Sequence, residues 1–350
     1  MQSREYTEAD AIEYLHSSAA LREALNIAAS TELEPHKLGE GEHNVNFRFG
    51  DPASDNEYVL RVNVVPQPFH KDQVAYEYAA LEALEPSGCT PKPYFLDNSA
   101  TAPGKGALVI GYCPGAQLDF DNLRDDDFQR VARILANVHA VSVPQDSVLF
   151  RPADPLRELF DECLQRFALY QASAFEDERI TRWAQQFIER AQEALNDAPV
   201  SPRDCTHIIN TETLASHFLL PEQPQDSPGW FIDWERPLIG EIAQDVAYFV
   251  APTTSYWDSE YVFRADAANR FIEDYWQAVD GRFERGSFDA RFRSWRMMTA
   301  LRSVTWCCRA LITYNAASTA HQTSKTAQKL PVYLSDDFMH LLAKDCFELE

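Results

Sequence analysis

The hydrophobic pattern changes its period once along the chain, and that change limits the folds open to it. Up to about residue 115 the apolar residues alternate with polar ones. Val45, Phe47 and Phe49 are separated by Asn46 and Arg48, and Tyr58-Val59-Leu60-Arg61-Val62-Asn63-Val64-Val65 is a second strand. A period of two puts successive side chains on opposite faces of a strand. The cluster Gly50-Asp51-Pro52-Ala53-Ser54-Asp55-Asn56 between the two runs reads as a turn. Ala107 to Tyr112 is a further strand, residues 71–85 read as a helix, and residues 7–28 as two short helices. From Asp125 onward the spacing is helical, over 125–142, 155–171, 177–197, 258–279 and 288–313. One short strand-like stretch, 207–233 with a Pro-rich turn at 221–228, interrupts these helices. The pattern predicts an α+β chain in two lobes, an antiparallel sheet lobe with one internal helix over 1–115 and a mainly helical lobe over 116–350. With 350 residues, 45% of them hydrophobic, the chain can bury a core in each.

Charge excludes one class of partner. The chain holds 31 basic and 54 acidic residues, a net charge of −23, whereas binding nucleic acid requires clustered positive charge. Only seven of the basic residues are lysine. An acid-rich, lysine-poor surface suits a solvent of very high salt, where screening cancels self-repulsion, so a halophilic source is expected. The same charge also fits an acidic pocket for a cationic substrate. No apolar run reaches the roughly 18 residues needed to span a bilayer, and Met1 to Asp10 lacks a basic-then-apolar signal pattern. A soluble, cytoplasmic protein is expected. The seven cysteines are scattered without a Cys-x-x-Cys pair, which argues against a zinc site or a disulfide framework.

Four constellations carry chemistry. Gly39-Glu40-Gly41-Glu42-His43-Asn44 precedes a strand; paired glycines let backbone N–H groups approach phosphate oxygens, although the segment also reads as a plain hairpin turn. Arg61 lies in a strand, and Glu77 falls within the apolar stripe Val74, Tyr78, Leu81 and Leu84 of the following helix. A carboxylate turned inward needs a partner, and Arg61 can supply one, whether for structure or for function. Asp233 ends the apolar run Phe231-Ile232, a rigid place from which to offer oxygen ligands to magnesium. Asp245 follows on a helix and reads as a brace or cap. In Asn210-Thr211-Glu212-Thr213-Leu214-Ala215-Ser216-His217, Glu212 can accept a proton from a hydroxyl; the same residues also make an ordinary surface loop.

The order of these elements resembles the aminoglycoside phosphotransferase and choline kinase family, a relative of protein kinases, over roughly residues 30–315. The resemblance is carried by the glycine segment, by Val59-Leu60-Arg61-Val62, by Glu77, and by Leu108-Val109-Ile110-Gly111-Tyr112-Cys113-Pro114-Gly115. Leu135-Ala136-Asn137-Val138-His139 resembles the family's Leu-His helix end. Most specific are Ile232-Asp233-Trp234-Glu235 and Asp245-Val246-Ala247. The family's usual His-Gly-Asp-x-x-x-x-Asn loop becomes Asn210-Thr211-Glu212 and then His217, and Arg61 replaces the commoner lysine. Glu212 keeps a carboxylate but moves it by about an ångström, a displacement that can cost about 10²-fold in rate. His217 offers nitrogen where magnesium prefers oxygen.

The resemblance implies phosphoryl transfer from ATP to the hydroxyl of a small molecule. In that reading Asp233 holds Mg²⁺ (or Mn²⁺), Arg61 braced by Glu77 holds phosphates, and Gly39, Gly41 and Asn44 cover them. The strand carrying Ile110 and Tyr112 supplies the adenine hinge. Glu212 orients or deprotonates the acceptor, and His217 assists at the metal or the phosphate. Partners would be the nucleotide and a small acceptor, without nucleic acid or membrane. The acceptor would be cationic if Asp154, Glu158, Asp161, Glu162, Asp258 and Glu260 form its site with Trp257, Tyr261, Trp276 and Trp295. The departures at Arg61, Glu212 and His217 also fit a nucleotide-binding or scaffold protein without turnover.

Overall fold

A computed structural model describes residues 6–349 apart from 42, 66–71, 100, 198–204, 223–227 and 317–324. The chain opens with helices α1 (Glu8–Ser17) and α2 (Ala19–Ala24), then strands β1 (His36–Glu40), β2 (Asn44–Asp51) and β3 (Asn56–Asn63). Helix α3 (Gln73–Leu84) precedes β4 (Pro93–Asp97), β5 (Ala107–Gly111) and the short β6 (Ala116–Gln117). Helices α4 (Asp127–His139), α5 (Pro155–Gln171) and α6 (Glu178–Asp197) follow, then β7 (His207–Ile209), β8 (Phe218–Leu220), β9 (Trp230–Phe231) and β10 (Leu238–Gly240). The chain continues through α7 (Ile242–Phe249), α8 (Pro252–Asp258), α9 (Ala265–Val279), α10 (Phe288–Ala316), α11 (Lys325–Tyr333) and α12 (Asp336–Asp345). These elements form two units. One comprises residues 1–116, 141–150 and 218–237; the other comprises 117–140, 151–217 and 238–350.

In the first unit five strands pair antiparallel in the order β1-β2-β3-β5-β4. The register sets Val45 opposite Val62, Phe47 opposite Leu60 and Phe49 opposite Tyr58. These six residues join Leu15 and Leu21, from α1 and α2, in one buried cluster. Arg61, between Leu60 and Val62, therefore points to the opposite face, where it meets Glu77 of α3. Helix α3 starts at Asp72, whose side chain accepts from the Ala75 N–H at 3.0 Å. Residues 218–237 were expected in the helical lobe, but they belong to the sheet unit. Phe218 pairs with Phe231 across β8 and β9, their rings stack at 4.6 Å, and the Phe231 N–H donates to the Cys89 carbonyl at 2.7 Å. Trp234, fully buried, donates its indole N–H to the Phe231 carbonyl at 2.8 Å. Most of the turn expected at 221–228 lies outside the described residues, as do Glu42 of the glycine segment and the first five residues.

The second unit is built around α10, which packs against α5, α6 and α7, while α4 packs against α9. Its 29 residues span about 43 Å at the usual rise. Phe120, Phe128, Phe249, Phe263 and Phe271 form a buried aromatic cluster beside α4 and α9. Strands β7 and β10 pair antiparallel, Ile208 opposite Ile239. A Cβ on Gly240 would lie 2.4 Å from the Ile209 Cδ1, so a larger residue here would have to displace the Ile209 and Leu238 side chains. The helix expected over 258–279 begins only at Ala265; residues 259–264 link it to α8, which ends at Asp258. The Ser259 hydroxyl donates to the Ser255 carbonyl at 2.6 Å, and the Ser255 hydroxyl accepts from the Phe263 N–H at 3.0 Å. These side-chain bonds satisfy the backbone where the helical ladder stops. All seven cysteines are free and buried. Among the described residues no helix is long and apolar enough to cross a membrane.

Candidate active site

Arg61 is the centre of a charged cluster in the sheet unit. Its Nε lies 3.0 Å from Glu77, and its Nη2 lies 2.8 Å from Asp233 and 3.2 Å from Glu235. Burial works against the guanidinium charge, but the three carboxylates outweigh it and keep the group above its usual pKa. Glu77 is only 3% exposed, and burial pushes its pKa up to about 7. Arg61 opposes that shift, while Asp233 and Glu235 add to it. Asp233 has a left-handed backbone, φ 65°, a conformation Asp tolerates better than most residues. Asn44, Gln73 and Asn63 support the cluster. Asn44 donates to Glu235 at 2.7 Å and accepts from Asn63 at 3.0 Å, and the Gln73 amide donates to the Glu235 carbonyl. Asn44 was expected to cover phosphates; its side chain is instead turned inward onto Glu235.

Gly39 lies in β1, opposite Asn46, and Gly41 in the turn that follows, where its N–H donates to the Asn44 carbonyl at 2.9 Å. Neither has a positive φ. Among the described residues, chain neighbours apart, nothing lies within 4 Å of a Cβ built on Gly39, and the nearest atom to one on Gly41 is at 4.0 Å. The fold therefore does not require glycine at either place, and the open space beside the backbone suits the approach of a phosphate. Of the three carboxylates, Asp233 and Glu235 are the more exposed and are the ones a divalent cation could draw on. Mg²⁺ typically takes one or two carboxylates and completes its shell with phosphate oxygens and water. Among the described residues no group of three or more His, Cys, Asp or Glu could hold a metal ion. Ile110 on β5 pairs with Val59. Just beyond the strand, the Tyr112 N–H donates to the Glu57 carbonyl at 3.0 Å, and its ring lies 3.9 Å from the Arg48 guanidinium.

The second unit holds the loop from Asn210 to His217. Asp245, wholly buried on α7, accepts the N–H of Asn210 and that of Thr211, each at 2.8 Å. The Thr213 hydroxyl donates to the Asp245 carbonyl at 2.8 Å. His139, at the end of α4, lies 3.4 Å from the Asp245 carboxylate and 2.8 Å from the Tyr275 hydroxyl. Asp245 is thus the brace its sequence position suggested. It holds Thr211 at φ 75°, an unfavourable conformation for a β-branched residue. Glu212 is oriented by this loop, and Arg302 of α10 reaches one of its oxygens at 2.9 Å. The ring of His217 donates from Nδ1 to the Glu212 carbonyl at 2.8 Å, which leaves the lone pair of the neutral ring on Nε2. That nitrogen is a poor ligand for Mg²⁺.

Two members of these clusters were not anticipated. Glu235 stood in the Ile232-Asp233-Trp234-Glu235 motif, but nothing marked it as a third carboxylate on Arg61. Arg302 is one of many arginines on α10, and no local pattern sets it apart.

The sequence matches the model of the family described as "Phosphotransferase enzyme family" over residues 35–290. No curated protein matches the sequence. Among solved structures, a candidate aminoglycoside phosphotransferase from Ralstonia eutropha aligns with a TM-score of 0.66 at 16% identity, covering 95% of this chain and 98% of that one. Plasmodium vivax ethanolamine kinase aligns with a TM-score of 0.60 at 14% identity, covering 97% and 98%. Choline kinase from Cryptosporidium parvum gives 0.55 at 14% identity, covering 90% and 93%. At these identities the likeness to the solved structures is one of fold, the kinase-like fold with an antiparallel sheet in one lobe.

Proposed function

Because the chain belongs to the phosphotransferase enzyme family, we propose that it is an ATP-dependent kinase that phosphorylates a hydroxyl of a small molecule. The observation that carries this reading is the Arg61 cluster, a buried cation braced by Glu77 at 3.0 Å and held against Asp233 at 2.8 Å. Phosphoryl transfer asks a protein mainly for positioning and charge neutralisation. Arg61 has the fixed fork of donors that suits phosphate, and no described side chain crowds Gly39 or Gly41. Asp233 would hold Mg²⁺ or Mn²⁺, with Glu235 beside it. When bound, the ion neutralises charge on the phosphates. Ile110 and Tyr112 would border the base.

In the helical unit, Glu212 is the group to take the proton of the acceptor hydroxyl. Its loop is fixed by two backbone bonds to Asp245, which limits the reorganisation needed for reaction. His217 would assist at the transferring phosphate. Use of ATP fits a cytoplasmic setting. A second reading, a nucleotide-binding protein without turnover, is favoured by one observation: Glu212 is already paired with Arg302 at 2.9 Å, so its carboxylate is engaged before any acceptor arrives.

Thermal unfolding with ATP and Mg²⁺ or Mn²⁺ at high KCl, on the wild type and Asp233→Ala, tests nucleotide binding. A ligand at 100 times its Kd stabilises by about 2.7 kcal/mol. A metal-dependent rise in Tm that is lost in Asp233→Ala is expected. No rise with any nucleotide and metal would refute the nucleotide site. ADP release that depends on an added alcohol then separates the kinase from the non-turning reading.

A further inference from the structure

A cavity of about 160 Å³ lies within the helical unit, lined by Tyr248, Trp257, Trp306, Tyr333, Thr253 and Arg302 among others. Its volume is close to that of an engineered cavity of about 150 Å³ that admits benzene. It is continuous with the Glu212 loop, because Leu214 also lines it and Arg302 reaches from its wall to Glu212 at 2.9 Å.

Two features show that the cavity is built for a polar ligand. Arg302 uses only Nη2 on Glu212, and among the described residues its Nε and Nη1 find no hydrogen-bond acceptor. Its side chain keeps 27% of its exposure, and its guanidinium carbon lies 5.8 Å from the centre of the Tyr248 ring on the cavity wall. Thr253 is 2% exposed, and its hydroxyl has no hydrogen-bond partner among the described residues. A buried hydroxyl left without a partner is costly, and a ligand group would relieve it. Arg302 is the one charged side chain among the described residues lining the cavity.

None of the acidic residues expected to attract a cation lines the cavity among the described residues, although Glu162 lies near enough to Arg302 to favour its charge. Asp154 caps α5 by accepting the Arg157 N–H at 3.0 Å, Glu162 pairs with Arg166, and Glu260 pairs with Lys329 at 3.0 Å. Glu158 and Asp161 do not line the cavity, and the side chain of Asp258 lies outside the described residues. Of the four aromatic residues named with them, only Trp257 lines it. Trp295 donates to Glu241 at 2.8 Å, Trp276 packs on Phe288, and Tyr261 stacks on Phe120.

We propose that this cavity binds the acceptor, and that the acceptor is a hydroxy acid of compact, ring-sized body whose carboxylate is received by Arg302. The ring walls take the apolar body, Thr253 offers its hydroxyl, and the acceptor hydroxyl is directed to Glu212. The inference rests on the phosphoryl-transfer reading. It also accounts for the Arg302–Glu212 pair. A substrate carboxylate that takes over the guanidinium replaces one anion by another on Arg302 and releases Glu212 to act as base. The acceptor oxygen then bonds to the γ-phosphorus of ATP, the bond from that phosphorus to the β,γ-bridging oxygen breaks, ADP departs with that electron pair, and the hydroxyl proton passes to Glu212.

The test uses three probes of one shape: 4-(hydroxymethyl)benzoate, 4-(hydroxymethyl)benzamide and 4-(hydroxymethyl)benzylamine. Their affinities for the full chain are measured by calorimetry without nucleotide. The benzoate is expected to bind about tenfold or more tightly than the amide, as a charge-assisted contact provides, and the amine weakest. Arg302→Gln is expected to abolish the preference. Thr253→Val, which removes no hydrogen bond among the described residues, is expected to weaken all three severalfold without changing their order; it serves if Arg302→Gln does not fold. Amide or amine binding as tightly as benzoate, no binding of any probe, or affinities unchanged by Thr253→Val would overturn the proposal. The ATP-dependent rise in Tm, measured on the same samples, reports separately on the nucleotide site, so failure of the cavity assignment leaves that reading intact.

Discussion

Neutralising Glu77 should reverse a pH dependence that its burial builds into the fold. Glu77 is 3% exposed and has its pKa raised from an ordinary 4.5 to about 7, chiefly by burial. A carboxyl group with a higher pKa folded than unfolded binds more protons in the folded state between those values. Its contribution is therefore fully present below pH 4.5 and is lost as pH rises through 7. The shift of about 2.5 units, at about 1.4 kcal/mol per unit, corresponds to on the order of 3 kcal/mol. Glu77→Gln keeps an oxygen for the Arg61 Nε but cannot ionise. The variant should thus gain on the wild type by about that amount between pH 5 and pH 8. Urea unfolding at several pH values and one KCl concentration measures the difference. His207, whose pKa is pushed down to about 4 by burial, has the opposite slope, with stability lost as pH falls below 6.5. It is present in both proteins and cancels. Parallel profiles would show that Glu77 titrates as an ordinary carboxylate. A relative gain by the wild type with rising pH would show that attraction to Arg61 outweighs burial.

Three further outcomes are expected. Asp245→Ala leaves the buried N–H groups of Asn210 and Thr211 without their acceptor and should cost about 3 kcal/mol or more in urea unfolding; a loss below about 1 kcal/mol would refute the brace. Thr211→Gly removes a side chain from a backbone at φ 75° and should stabilise by about 1 kcal/mol; a fall in stability would mean that the threonine side chain makes a compensating contact. The net charge of −23 should make Tm rise from low to multimolar KCl through screening, and a flat curve would refute adaptation to salt.

The readable and unreadable parts of the site differ in how far apart their partners lie in the chain and in what each residue's neighbours reveal. Arg61 and Glu77 were legible because each breaks a periodic pattern: a cation inside an alternating strand and a carboxylate inside an apolar helical stripe. Burial of either alone is costly, so the two had to meet, and they do at 3.0 Å. Asp233 was legible as a carboxylate ending a short apolar run. That the same run joins the sheet unit was not, because the decisive bond, from the Phe231 N–H to the Cys89 carbonyl, is between backbone groups and leaves no mark on side-chain pattern. The break between α8 and α9 was hidden for a related reason. Two serine hydroxyls replace the helical bonds there, while the apolar spacing on either side still reads as helical. Arg302 was the least visible. Its partner Glu212 is 90 positions away, and α10 packs against five other helices, α5, α6, α7, α8 and α11, so no single apolar face sets one arginine apart. What distinguishes Arg302 is that its Nε and Nη1 have no acceptor while it lines a cavity. That property belongs to the packed structure, and it is why the acceptor's charge had to be argued from the fold.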